Sequence, residues 1–170
     1  MLIEPAIRDD IPALLTLIQS AYRGDSSRRG WTHEADLLDG QRTDATALTE
    51  TLDDPAQLLL VARDGDHPAG CVALTDKHGI VYIGLVTVDP ERQAGGLGRR
   101  LLAAAEEAAR TRFAATRAEM TVIAGRDELI AWYQRRGYRL TGERRPFPAA
   151  EPRFGLPRKP LEFVVLEKSL

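Results

Sequence analysis

A glycine-rich turn near the middle of the chain has the composition of a phosphate-binding site. The turn reads Gln93-Ala94-Gly95-Gly96-Leu97-Gly98, and Arg99 and Arg100 follow it directly. An apolar run before it predicts a buried strand, and a helical pattern after it places the turn at a helix N-terminus, where N–H groups and the helix dipole favour an anion. Glycines let the backbone approach a phosphate closely, and arginines add charge-assisted hydrogen bonds. The turn is therefore a candidate pyrophosphate site, although a strand-to-helix turn also needs glycine for its geometry alone.

Two other kinds of phosphate loop do not fit this spacing. A Walker loop needs Gly-Lys followed by Ser or Thr, and no lysine follows Gly98. A dinucleotide-binding fingerprint needs G-x-G-x-x-G after a first strand, whereas here the glycine spacing differs and predicted antiparallel hairpins precede the turn.

The elements that must position the turn follow from hydrophobic periodicity and turn residues. The predicted strands are Leu2 to Arg8, Gln57 to Arg63, Ala69 to Thr75, Ile80 to Val88, Met120 to Ile123 and Leu161 to Glu167. The predicted helices are one that Asp9 or Asp10 caps and that reaches Tyr22, then Ala45 to Leu52, Gly96 to Phe113 and Asp127 to Arg136. This order predicts a mixed α/β domain with a largely antiparallel first half. Gly84 inside the central strand is unusual, because glycine weakens a strand unless backbone or ligand must come close.

Composition restricts the class of protein. The 170 residues fit one domain, 1–170, and a net charge of −2 gives no overall electrostatic case for nucleic acid or an anionic membrane. Charged residues among the first ten argue against a signal peptide, and no apolar run approaches the ~20 residues of a membrane span. The single Cys71 is expected in the core, and no His/Cys/Asp cluster has metal-ligand spacing. We expect a soluble cytoplasmic protein without a metal.

Two stretches of the chain resemble the GNAT superfamily of N-acetyltransferases. The run from Val86 to Leu102 is similar to the family's acetyl-CoA-binding motif, including the Val-Asp-Pro lead-in and the Q-x-x-G-x-G core. The run from Leu129 to Tyr138 resembles its helix-then-strand element, in which a tyrosine, here Tyr133, precedes glycine and an aromatic by four residues. The resemblance implies a central mixed, mostly antiparallel sheet of six to seven strands, flanked by about four helices and splayed between the fourth and fifth strands.

The same resemblance implies an acyltransferase that moves an acetyl group from acetyl-CoA directly to a primary amine of a small molecule or peptide. The pyrophosphate would bind the N–H groups of residues 93 to 98, beside Arg99. The pantetheine would run along the central strand, where an N–H near Leu85 or Val86 polarises the thioester carbonyl. Candidate cofactor contacts on that strand are Leu85, Val86, Thr87 and Val88. Arg126 stands where many members carry an asparagine that contacts the pantetheine, so we keep it as a candidate contact and expect another group to replace the asparagine's interaction.

Tyr133 is the candidate general acid, because a positioned hydroxyl can protonate the departing thiolate; packing beneath the sheet is the alternative. The polar loop from Arg23 to Asp44 is where acceptors of this family bind. Glu34 is the favoured base there, ahead of His33, Asp36 and Asp39. Trp31 either forms an apolar wall of the acceptor site or anchors the loop. Arg42 either clamps an acceptor carboxylate or pairs with Asp39 or Asp44, and each carboxylate also suits a solvated or capping position.

Two rival functions stay open at this stage. One is a GNAT-like module that binds acyl-CoA as a sensor without turnover. The other is a nucleic-acid-associated protein that uses the arginine-rich segment from Arg135 to Lys159. A solvated face suits that segment better than a contact with the CoA 3′-phosphate or an acidic acceptor. The family is often dimeric, so a homodimer is compatible with the sequence.

Overall fold

The computed structural model describes residues 1–22, 38–39, 43–146, 156–157 and 161–170. Within these ranges the strands are β1 (Leu2–Pro5), β2 (Leu38–Asp39), β3 (Gln57–Asp64), β4 (His67–Asp76), β5 (Ile80–Val88), β6 (Arg117–Ile123), β7 (Arg139–Pro146), β8 (Leu156–Pro157) and β9 (Glu162–Ser169). The helices are α1 (Ile11–Tyr22), α2 (Ala45–Asp53), α3 (Leu97–Phe113) and α4 (Asp127–Gln134).

Seven of these strands form one open sheet in the order β1-β3-β4-β5-β6-β9-β7. Every neighbouring pair is antiparallel except β5 and β6, which are parallel. The short strands β2 and β8 pair with each other in a separate antiparallel ladder. The sheet, the four helices and the strand directions confirm the fold class implied by the resemblance.

Helices cover both faces of the sheet, as the continuous burial of β3 and β4 requires. On one face, α1 and α2 pack Leu14, Ile18 and Leu48 against the β3 and β4 side chains Val61 and Cys71. Cys71 is fully buried, which confirms its predicted place in the core. The opposite face carries the larger core, in which α3 and α4 contribute Leu97, Leu101, Leu102, Ala105, Ala109, Ile130 and Tyr133. This second layer fixes α3 and α4 over the central strands.

The centre of the sheet is opened by two irregularities of β5. Over these two fully described strands, parallel pairing with β6 covers Ile80 to Tyr82 against Arg117 to Glu119, and beyond that point the strands diverge. On its other edge β5 shifts register against β4, which leaves Leu85 and Val86 opposite the single residue Val72, as in a β-bulge. Leu85 has φ +55, a left-handed backbone that a leucine rarely adopts. The splay lies between the fourth and fifth strands of the large sheet, as expected.

One strand of the sheet is missing from the sequence-based prediction. The residues Arg139–Pro146 form β7 at the sheet edge. Hydrophobic periodicity predicted six strands without it, whereas the resemblance implied six to seven strands and a strand after the helix that carries Tyr133. The strand is exposed along nearly its whole length, so it lacks the alternating apolar pattern that reveals a half-buried strand. Pairing with β9 and arginine–glutamate contacts hold it instead, including Arg139 with Glu167 at 2.8 Å and Arg144 with Glu162 at 2.6 Å.

A largely buried ion pair joins the turn before α1 to the end of strand β3. Asp10, predicted as a helix cap, is 7% exposed, and its two carboxylate oxygens accept hydrogen bonds from the Arg63 guanidinium at 2.6 and 2.7 Å. It also accepts a hydrogen bond from the Ile7 backbone N–H at 2.8 Å. The hydrogen bonds from Arg63 hold the pKa of Asp10 below its usual value. Asp10 therefore locks β3 to the turn before α1 in a bidentate geometry.

We expect Asp10→Asn to lower the free energy of unfolding by about 3 kcal/mol at neutral pH, because it leaves the Arg63 charge without its main partner. Since folding lowers the pKa of Asp10, its contribution is present above the unfolded value of about 3.9 and is lost as the pH falls through the folded value. Chemical denaturation at several pH values should therefore show a flatter acid limb for the variant. The matched control is Asp53→Asn, which removes an exposed partner of Arg8 and should change stability far less. Equal losses from both variants would contradict the assignment.

Candidate active site

The glycine-rich turn is held in place by its flanking residues. After β5 the chain makes a tight 3₁₀ turn, Pro90–Gly95, which Asp89 caps by accepting a hydrogen bond from the Glu91 backbone N–H at 3.0 Å. Arg92 in this turn pairs with Asp64 at the end of β3. The Val-Asp-Pro lead-in is thus a structural device that sets where α3 begins.

The first turn of α3 lacks the side chains that usually satisfy a helix N-terminus. Its N-cap, Gly96, has no side chain to offer, and the turn contains no acidic residue. The leading N–H groups of a helix have no intrahelical acceptor, and the helix dipole makes this end positive. Arg99 is exposed beside it, whereas Arg100 donates to the Met1 carbonyl at 2.8 Å. This end of α3 therefore suits an anion.

The three glycines in the turn differ in their backbone geometry and surroundings. Gly96 has φ +73, which L-residues avoid. A Cβ on Gly98 would lie 3.4 Å from the Trp132 ring, an ordinary van der Waals contact, so a small side chain would fit there. A Cβ on Gly95 would meet nothing within 4 Å, and Gly95 does not have the positive φ of Gly96. The positive φ therefore explains Gly96, whereas neither Gly95 nor Gly98 is required by a clash with the described residues.

The bulged end of β5 presents its backbone beside the splay. The Val86 carbonyl accepts a hydrogen bond from the Tyr22 hydroxyl of α1, and the Leu85 carbonyl accepts one from the Thr87 hydroxyl at 2.9 Å. Thr87 is buried with its hydroxyl used in this way, and the side chain of Leu97 lies in the core. Of the predicted cofactor contacts, Thr87 and Leu97 therefore offer chiefly backbone groups.

A hydrogen bond marks the point where β5 and β6 part. The Tyr82 hydroxyl lies 2.6 Å from the Thr121 hydroxyl, and Tyr82 is the last β5 residue that pairs with β6. The Tyr82 ring lies along β5, so a Cβ on Gly84 would come within 3.1 Å of it. This close approach is the physical reason for the glycine that interrupts the central strand.

Tyr133 points into the same region from α4. It is 6% exposed, and its ring packs edge-on against Trp132 at 5.1 Å and Tyr138 at 6.0 Å between centroids. Burial, followed by the proximity of Tyr22, raises the pKa of Tyr133 above its ordinary value, while Arg126 acts in the opposite direction. Among the described residues its hydroxyl makes no hydrogen bond. The phenol therefore stays protonated at neutral pH and can donate a hydrogen bond.

The predicted acceptor-site residues cannot be placed in this geometry. Trp31, Glu34 and Arg42, together with His33 and Asp36, lie outside the described residues. In the β2–β8 ladder, Leu38–Asp39 pairs with Leu156–Pro157. No local pattern of the sequence predicts this contact. This ladder joins the loop chosen for acceptor binding to the segment before β9.

Sequence reasoning missed several residues that the fold places around the splay and the turn. They are Tyr22, Tyr82, Thr121 and Trp132, whereas Arg136 was singled out only as one arginine of the base-rich segment. Trp132 and Arg136 lie within or beside the second family-like stretch, so their helical spacing from Tyr133 was available as a signal. Tyr22 and the Tyr82–Thr121 pair depend on contacts between distant segments and have no local signature.

Comparison with known proteins defines the class of protein. The model of the acetyltransferase (GNAT) family matches residues 13–138, which is most of the chain, so the protein belongs to this family. No curated protein sequence matches it. Solved structures share its fold at low sequence identity.

The structural neighbours include two enzymes that are named as N-acetyltransferases of ribosomal-protein alanine and one protein solved with acetyl-CoA. The ribosomal-protein-alanine N-acetyltransferase from Brucella melitensis is 22% identical, with all of both chains covered and a TM-score of 0.72. The ribosomal-protein-S18-alanine N-acetyltransferase from Escherichia coli is 15% identical over 99% of this chain and 92% of that one, also with a TM-score of 0.72. The yncA protein of Salmonella typhimurium, solved with its cofactor acetyl-CoA, is 18% identical over 100% of this chain and 94% of its own, with a TM-score of 0.72. At these identities the likeness establishes the fold.

The described residues contain neither a membrane-spanning helix nor a group of metal ligands. None of the described helices is both long and apolar enough to cross a bilayer. Over the same ranges, no group of three or more His, Cys, Asp or Glu side chains is arranged to hold a metal ion.

The open position at Gly95 gives a direct test of the anion site. Gly95→Ala should leave thermal stability unchanged, because its Cβ meets no neighbour, but should weaken acetyl-CoA binding about tenfold by blocking close approach to the backbone. Gly96→Ala should lower both binding and stability, the latter by about 1 kcal/mol, because of its positive φ. Calorimetric titration and thermal melts separate the two effects. Normal binding by Gly95→Ala would show that the anion does not approach this residue.

Proposed function

We propose that this chain is an N-acetyltransferase that transfers an acetyl group from acetyl-CoA to a primary amine of a small molecule or peptide. The observation that carries the proposal is the divergence of β5 from β6 after Tyr82, in the region where the buried Tyr133 hydroxyl stays protonated. A gap between two central parallel strands leaves backbone groups without strand partners, which a covered sheet avoids unless a ligand uses them. Family membership supplies the acyltransferase class, and the site geometry supports the finer assignment.

The start of α3 fits the pyrophosphate of the coenzyme. The proposed contacts are the backbone N–H groups of Gln93, Ala94, Gly95, Gly96, Leu97 and Gly98, with the Arg99 side chain beside them. Three features support this fit: no acidic residue occupies the first turn, no side chain caps it, and Gly95 opens onto free space. Helix N-termini bind phosphates through such N–H groups and through the helix dipole.

The exposed end of β5 would orient the pantetheine and the thioester. Residues Leu85, Val86, Thr87 and Val88 form this edge, and the bulge turns the backbone at Leu85 away from regular pairing. A backbone N–H at the bulge is the proposed donor to the thioester oxygen. Removing a single donor of this kind costs roughly 3 kcal/mol of transition-state stabilisation in other enzymes. Arg126 lies close enough to Tyr133 to influence its pKa, so it is the proposed polar contact on the opposite side of the gap.

Acetyl-CoA supplies an activated thioester, and the chain's own groups would manage two protons. The acceptor nitrogen forms a bond to the acetyl carbon while the carbon–sulfur bond breaks. Tyr133 donates its proton to the departing sulfur, and Glu34 takes the proton that the amine must lose. Trp31 would form an apolar wall for the acceptor, and Arg42 would clamp an acceptor carboxylate. Cys71 is buried on the α1 side with a contact to the Leu85 carbonyl, and the proposed route needs no covalent intermediate on it.

The function is tested by measuring CoA release across a panel of amines. The panel should contain amino acids, polyamines, aminoglycosides, lysine peptides and peptides with an N-terminal alanine, since two structural neighbours are named as ribosomal-protein-alanine N-acetyltransferases. Turnover with any class supports the proposal. Tight acetyl-CoA binding without turnover across the panel would favour a non-catalytic acyl-CoA sensor. A cytoplasmic location stays a prediction from composition, and a homodimer stays a prediction from the resemblance.

Tyr133→Phe should lower kcat about 100-fold while leaving the acetyl-CoA Kd nearly unchanged, because it removes the proton donor but keeps the ring contacts with Trp132 and Tyr138. Because burial raises the pKa of Tyr133, we also expect no loss of the wild-type kcat from its ionisation below about pH 10. Steady-state kinetics and calorimetry with the same preparation provide both values.

Tyr138→Phe is the matched control for this variant. Tyr138 is 3% exposed, and its buried hydroxyl has no hydrogen-bond partner within the described ranges. Removing an unpaired buried hydroxyl should leave kcat unchanged and stability unchanged or slightly higher. A similar kcat for Tyr133→Phe and the wild type would remove Tyr133 as the general acid.

A further inference from the structure

A groove runs along α3 from the glycine-rich turn towards the end of β9. Its volume is about 570 Å³, and its lining includes Gly95, Gly96, Arg99, Glu106, Arg136 and Lys168. From its N-cap Gly96 to Glu106 the helix rises roughly 15 Å at 1.5 Å per residue. The groove therefore extends well beyond the N–H groups at the start of α3, and it has room for more than a pyrophosphate.

The charges in the groove are unevenly compensated. Glu106 is 5% exposed and accepts hydrogen bonds from the Lys168 ammonium at 2.6 and 3.0 Å, so these two charges neutralise each other. Within the described part of the chain, neither Arg99 nor Arg136 has a carboxylate partner. The end of the groove next to the glycine-rich turn therefore has an excess of positive charge.

Arg136 is held in a fixed position in spite of lacking an acidic partner. Its guanidinium lies 4.0 Å from the centre of the Trp132 ring, and its Nη1 donates to the Trp132 carbonyl at 2.9 Å. Its Nε is buried and has no acceptor among the described residues. Burial, together with the positive charges of Arg99 and Arg135, lowers the pKa of Arg136. An anion bound in the groove against the guanidinium would relieve this repulsion.

We propose that Arg136 binds the 3′-phosphate of the coenzyme's ribose and thereby selects CoA over dephospho-CoA. The inference rests on the proposed function, in which the start of α3 and Arg99 already hold the two charges of the pyrophosphate. Arg136 comes from the other side of the groove, at the end of α4, and a planar guanidinium matches a phosphomonoester dianion through paired hydrogen bonds. Stacking on Trp132 orients the guanidinium before the ligand arrives, which lowers the ordering cost of binding.

The arginines of β7 differ from Arg136 in this respect. Arg139, Arg144 and Arg145 each contact a glutamate of β6, β7 or β9. Their charges are neutralised at the sheet edge. Among the described arginines of the base-rich segment, Arg136 combines a groove position with a guanidinium stacked on Trp132.

The test is calorimetric titration of the protein with CoA and with dephospho-CoA, which needs no acceptor and no turnover. The wild type should bind CoA roughly 10- to 100-fold more tightly, as expected for charge-assisted hydrogen bonds to one phosphate. Arg136→Gln should weaken CoA binding by about that factor and leave dephospho-CoA binding nearly unchanged. Arg136→Lys should retain only part of the preference, because an ammonium is a point charge without the planar fork. Comparing two ligands on one variant makes the result independent of small losses in stability.

Two control variants separate this role from other roles of the arginines. Arg99→Gln should weaken both ligands by the same factor, because both contain the pyrophosphate, and Arg139→Gln should change neither. Equal weakening of both ligands by Arg136→Gln would assign that arginine to the pyrophosphate and overturn the inference. Equal affinity of the wild type for CoA and dephospho-CoA would overturn it while leaving the proposed function intact. Failure of the wild type to bind either ligand would contradict the proposed function and, with it, this inference.

Discussion

Parallel pairing between β5 and β6 stops after Tyr82, and the geometry of the site depends on that break. Backbone groups released from a ladder in the middle of a covered sheet need other partners. The Tyr22 hydroxyl satisfies the Val86 carbonyl, and the Thr87 hydroxyl satisfies the Leu85 carbonyl. The Tyr82–Thr121 hydrogen bond holds the strands together where they begin to part. Side chains of α1, β5 and β6 thus stabilise the opening between the two strands.

Trp132 connects three parts of the site. Its ring lies against the Gly98 position of α3, edge-on to the Tyr133 ring and beneath the Arg136 guanidinium. Because this ring contacts all three, it ties the glycine-rich turn, the buried phenol and the stacked arginine to one another. Side chains that are packed on helices keep their positions more precisely than side chains on loops do.

Although the net charge is only −2, positive and negative charges are distributed unevenly over the protein. At the edge of the sheet, arginines of β7 form ion pairs with glutamates of β6 and β9. At the start of α3, the helix dipole, Arg99 and Arg136 lie together, and the acidic side chain that lines this groove among the described residues is Glu106, which Lys168 neutralises. A near-neutral protein can in this way present a strongly anion-attracting groove, because electrostatic interactions weaken over about one Debye length.

The sequence by itself determined the features that are encoded locally. The glycine-rich turn, the long helix after it, the buried central strand and Tyr133 in a helix before a glycine all follow from short-range patterns, and each lies where it was predicted. The fold class came from the resemblance carried by two such stretches. What only the tertiary structure decided depends on contacts between residues far apart in the chain: the edge strand β7, the bulge at Leu85, the Asp10–Arg63 pair and the stacking of Arg136 on the α4 face beside α3. An exposed edge strand has no hydrophobic period, and the partner of a bulge, an ion pair or a groove exists only once distant segments have packed together.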